Sequence, residues 1–74
     1  MAKYSLVGID GNAFSVLGYT SMALKKEGLD NLINEMREKA MSGDYYNLIA
    51  VCNNYVHMAN DAAYANGYED EDEN

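Results

Sequence analysis

Most of the usual ways of reinforcing a small domain are missing from this chain. Cys52 is the only cysteine among 74 residues, so no disulfide can close within the chain. With one histidine, His57, there are too few Cys and His ligands for a structural zinc site. Proline and tryptophan are absent, so no proline interrupts a helix. Basic residues are scarce, five Lys and Arg against twelve Asp and Glu, for a formal charge of −7. Nothing forms the basic stripe that a phosphate backbone requires, which excludes direct nucleic-acid binding. No apolar run is long enough to cross a bilayer, and Met1-Ala2-Lys3 leads into only a handful of apolar residues, unlike a signal peptide. An unpaired, apolar-flanked cysteine suits a reducing interior, so the expected location is cytoplasmic. What remains to stabilise so short a chain is tight helix packing, self-association, or both.

Catalytic and cofactor constellations are missing too. Cys52 and His57 are five apart, which on a helix turns them about 140° away from each other. Cys52 reads as a small core residue and His57 as a surface one. Asp10, Asp30 and Asp44 each stand where a helix cap is needed, leaving no carboxylate pair for acid–base work. The expectation is a protein with no catalytic residue, no metal and no cofactor.

The chain is organised around Val7-Gly8-Ile9-Asp10-Gly11-Asn12-Ala13-Phe14-Ser15-Val16-Leu17-Gly18, an extended segment, a tight turn and a helix start. Before it, Tyr4-Ser5-Leu6-Val7-Gly8-Ile9 is rich in strand formers and reads as a short strand or extended arm. A lone strand has unpaired backbone groups, so it either lies across the helices or pairs with its copy in a second chain. Asn12, with Asp10 as the alternative, is expected to cap the first helix, and Gly11 to take positive φ. Along that helix Ala13, Val16, Leu17, Thr20, Ala23 and Leu24 form one apolar stripe, and Phe14, Gly18 and Met22 form another. A mid-helix Gly18 implies something packed closely against it. Gly28 ends the helix and Asp30 is expected to cap a second, with Leu29, Leu32, Ile33, Met36 and Ala40 on its apolar face. Gly43 stops that helix and Asp44 caps a third over residues 45–60, at most to 65. Its core face is Leu48, Val51, Cys52, Tyr55 and Ala59, beside Ile49, Val56 and Ala63, with Asn47, Asn53, Asn54, His57 and Asn60 as polar positions.

The fold class is thus mainly α, α+β at most: a strand or arm and a three-helix mini-bundle over residues 1–67. Residues 68–74 read as an acidic tail, disordered by composition and solubilising, which carries five of the acidic residues. Two functional surfaces are expected. Tyr4, Leu6, Phe14, Gly18 and Met22 are candidates for burial against another subunit. Asp10, Gly11, Asn12, Ala13 and Phe14 are candidates for holding a small anion or nucleotide at a helix N-terminus, although Asp10 itself would repel a phosphate. Neither a phosphate loop nor a dinucleotide fingerprint is present. Seven tyrosines, together with the methionines, favour an interaction protein over an enzyme.

Leu6-Val7-Gly8-Ile9-Asp10-Gly11-Asn12-Ala13-Phe14-Ser15, followed by Met41-Ser42-Gly43-Asp44-Tyr45-Tyr46-Asn47-Leu48, resembles a family of small proteins found in bacteriophages, prophages and gut bacteria. The resemblance covers about residues 4–58 and carries no settled activity. It implies an accessory protein of a phage or mobile element, acting by binding a host factor, defence enzymes included, or by sequestering a small signal.

Overall fold

Asn12 sits in extended backbone, and its side-chain oxygen accepts from the Phe14 N–H at 2.8 Å, which starts helix α1 (Ala13–Lys26). The structure is a computed structural model and describes residues 1–69, so most of the expected acidic tail lies outside the described residues. At the other end of α1, Gly28 takes φ 78°, and the N–H groups of Gly28 and Leu29 return to the carbonyls of Lys25 and Leu24. This Schellman arrangement satisfies carbonyls that a helix end otherwise leaves without partners. A single 3-10 turn (Asp30–Leu32) leads straight into α2 (Ile33–Ala40), so Asp30 makes no cap bond, contrary to expectation. Continuous helical winding leaves no break for a capping side chain to fill.

The carboxylate of Asp44 accepts from the Asn47 N–H at 2.9 Å and starts α3 (Tyr45–Ala65). Gly43 acts differently from the stop expected of it. The side-chain amide of Asn47 donates to the last carbonyls of α2, Lys39 at 2.9 Å and Ala40 at 3.3 Å. A Cβ on Gly43 would come within 3.0 Å of Asn47, so the glycine leaves room for that cap.

The first apolar stripe of α1 is the core face: Val16, Leu17, Thr20, Ala23 and Leu24 are buried, and Ala13 is half-buried. They meet Leu48, Cys52, Tyr55, Val56, Ala59 and Ala63 of α3, while Met36 and Ala40 of α2 complete the core. Thr20 is accommodated because its hydroxyl donates to the Val16 carbonyl at 2.9 Å. Tyr55 donates to Glu35 at 2.6 Å and ties α3 to α2. Contacts between Gly11 and Tyr45 at one end, and between Glu27 and Asn66 at the other, make α1 and α3 run in the same direction.

Among the described residues there is no strand, and the N-terminal segment is the arm of the two alternatives. Side chains do the work of a neighbouring strand. Asn60 accepts from the Tyr4 N–H at 2.8 Å and donates to the Tyr4 carbonyl at 2.9 Å, and the Ser5 N–H donates to the Tyr19 hydroxyl at 3.0 Å. The backbone groups of Tyr4 and the Ser5 N–H thus find partners within their own chain, and Tyr4 joins the core.

Two glycines have opposite expected effects. Gly18 lies exposed inside α1 with nothing within 4 Å of an added Cβ, so the close packing expected there is absent. Gly18→Ala is expected to raise stability by about 0.5–1 kcal/mol through helix propensity. Gly28→Ala, forced into the left-handed region, is expected to lower it by about 1 kcal/mol. Urea denaturation of both variants measures the signs.

Candidate functional site

The first turns of α1 and α3 lie at the same end of the bundle. There the Tyr45 hydroxyl donates to the Gly11 carbonyl at 2.5 Å, joining the Asp-Gly-Asn turn to the start of α3. Asp10 accepts from the Asn12 N–H at 3.1 Å, which turns the chain without a left-handed residue at Gly11. Positive φ falls instead on Gly8, at 85°, correcting the expectation for Gly11. The Asn12 and Phe14 N–H groups donate to Asp10 and Asn12 of the same turn. Two of the backbone donors at this helix start are therefore already engaged.

Sequence candidates sort cleanly on this geometry. Asp10, Gly11, Asn12 and Phe14 come together at the cap end, with Ala13 half-buried beneath them. Of the residues expected at a subunit interface, Tyr4 is only 5% exposed inside its own chain. Leu6 and Met22 pack against that same core. Only Phe14 and Gly18 face outward. Phe14 is 78% exposed and Tyr46 82% exposed, with Tyr46 set edge-on to the Tyr45 ring at 6.4 Å between centroids. Tyr45 is itself exposed, and so is Val7 ahead of the turn. The result is a display of aromatic side chains on two capped helix starts.

The opposite end is a lock for the arm that sequence reasoning missed. The side chain of Glu27 is 4% exposed and accepts from the Lys3 ammonium at 2.8 Å and the Tyr4 hydroxyl at 2.5 Å. Lys3 also lies over the Tyr4 and Tyr68 rings, 5.5 and 5.7 Å from their centroids. Tyr68, assigned by composition to the tail, packs against the core and donates to the Met1 carbonyl at 3.2 Å. Asn60 is buried, contrary to the solvent-facing position its polarity implies. Its register was the available signal: four residues after Val56 and three before Ala63, it falls on the apolar stripe.

Bonds from Lys3 and then Tyr4 hold the Glu27 carboxyl below its ordinary range. Burial, followed by the bond to Glu27, pushes the Tyr4 phenol up. The lowered Glu27 value contributes stability above about pH 4.3, lost as pH falls through the folded value. The raised Tyr4 value contributes stability below about pH 10, lost as pH rises through the folded value. The protection of the Tyr4 and Ser5 amides against exchange, relative to the intrinsic rate at each pH, is expected to fall at both extremes before that of α1 and α3; simultaneous loss in all three would contradict the lock. Burial pushes the Cys52 thiol up, away from a reactive thiolate, consistent with its place in the core.

Among the described residues no helix is long and apolar enough to cross a membrane. A shallow, open hollow on α2 is lined by Asn34, Arg37, Glu38 and Met41, with charges of both signs. No protein-family model, curated protein or solved structure matches the chain.

Proposed function

We propose that this chain is a non-enzymatic accessory protein of a phage or mobile element, which acts in the bacterial cytoplasm by binding and modulating a host protein. The observation that carries the reading is the exposure of Phe14 and Tyr46 on the Gly11–Tyr45 junction. Aromatic side chains anchored on helices make effective contact surfaces, because little side-chain freedom is lost when they are covered. The fold does not need either ring. The resemblance to small phage proteins supplies the biological setting and rests on the two motifs that build this junction.

Self-association has less to support it, since Tyr4, Leu6 and Met22 already pack within the chain. A photo-crosslinking residue in place of Tyr46, expressed in bacterial cells, tests the proposal. A defined adduct with one host protein is expected, and the same probe at the exposed Tyr64, towards the other end of α3, is expected to give none. No adduct at residue 46, or the same products from both positions, would contradict it.

A further inference from the structure

We infer that the cap end selects a cationic amphipathic helix, one whose apolar face is flanked by Lys or Arg. This rests on the proposed binding role and specifies the chemistry of its partner. Asp10 and Asp44 are both exposed at this end, each engaged with a single backbone N–H, Asn12 and Asn47 respectively. An ionised carboxylate has about four acceptor positions, so each retains capacity for an incoming donor. Four of the chain's five Lys and Arg are directed elsewhere. Lys3 binds Glu27, Lys25 and Lys26 occupy the last turn of α1, and Lys39 lies 5.8 Å from the Tyr55 ring, well along α3. Arg37 lies on α2 beside Asn34, Glu38 and Met41. The N-termini of α1 and α3 contribute roughly half a positive charge each. Two full carboxylate charges outweigh them, so the field at this end is negative.

The rings of Phe14, Tyr45 and Tyr46 supply both apolar area and faces that attract Arg or Lys. A second copy of the chain is disfavoured on the same surface. A symmetric contact would bring two Asp10 and two Asp44 carboxylates together on chains that each carry −7. An acidic partner meets the same repulsion. A basic helix gains from the rings and the carboxylates together.

The test titrates the full-length, isotope-labelled chain with two synthetic amphipathic helical peptides that share one apolar face, flanked by Lys and Arg in one and by Glu in the other. The basic peptide is expected to shift the amide signals of residues 12–14 and 45–46, with binding weakened by added salt. Asp10→Asn combined with Asp44→Asn keeps the turn bond from the Asn12 N–H and the α3 cap, because an Asn side-chain oxygen accepts in both settings as Asp does. That double variant is expected to bind the basic peptide at least tenfold more weakly. Unchanged affinity in it, or shifts confined to residues 69–74, would overturn the inference. Equal binding of the Glu-flanked peptide at residues 12–14 and 45–46 would also overturn it while leaving the docking role intact. If residues 12–14 and 45–46 respond to neither peptide and Tyr46 forms no adduct in cells, the docking role falls as well.

Discussion

Asn60→Ala is expected to lower stability by about 3 kcal/mol, because it strips partners from two buried backbone groups at once. The Tyr4 N–H and the Tyr4 carbonyl both bond to this one side chain. A buried polar group left unpaired costs about 1–3 kcal/mol, and an alanine offers neither group a replacement. A domain of this size has only about 3–5 kcal/mol of net stability, so the variant is expected to be partly unfolded in water. Asn53→Ala, on the exposed side of the same helix, is expected to change stability by no more than about 0.5 kcal/mol. Because the Tyr4 side chain, through the core and Glu27, and Asn60, through the Tyr4 backbone, hold the same arm, Tyr4→Ala combined with Asn60→Ala should cost much less than the two changes summed. Urea denaturation of the four proteins measures the coupling. A loss below about 0.5 kcal/mol for Asn60→Ala would show that the arm is not clamped.

The features readable from sequence were those set by neighbours a few residues apart. Asn12 and Asp44 cap α1 and α3 because a short polar side chain before an apolar run bonds N–H groups two or three residues ahead. Helical spacing likewise picked out the buried stripe of α1 and most of the core face of α3. Features set by contacts across the chain were not legible. Asn60 and Tyr4 are 56 residues apart, and nothing local marks an asparagine as a stand-in for a neighbouring strand. Gly43 looked like a helix stop because glycine serves there so often, whereas its role is to admit Asn47. At the candidate site, Phe14 and the turn could be singled out, but the apolar pattern of α1 could not say that its second stripe divides, with Met22 packed inward and Phe14 and Gly18 exposed. Tyr45 and Tyr46 could not both point inward. The bond from Tyr45 to Gly11 shows how one ring braces the turn while the other is left outward.

Binding, in contrast, is expected to depend on residues that the fold can spare. Phe14→Ser combined with Tyr46→Ser removes two rings that are largely in water, and such surface changes usually alter stability by about 0.5 kcal/mol or less. Neither substitution touches the Asn12 or Asp44 cap, the Tyr45–Gly11 bond or the core. If the rings anchor a partner, losing them should cost at least about 2 kcal/mol of binding, roughly thirtyfold in affinity. The most direct measurement is the affinity of this double variant for the host protein captured at residue 46, paired with its urea midpoint. Affinity is expected to fall at least thirtyfold while the midpoint stays at the wild-type value. Wild-type affinity in a folded double variant would show that the exposed aromatic end is not the binding surface.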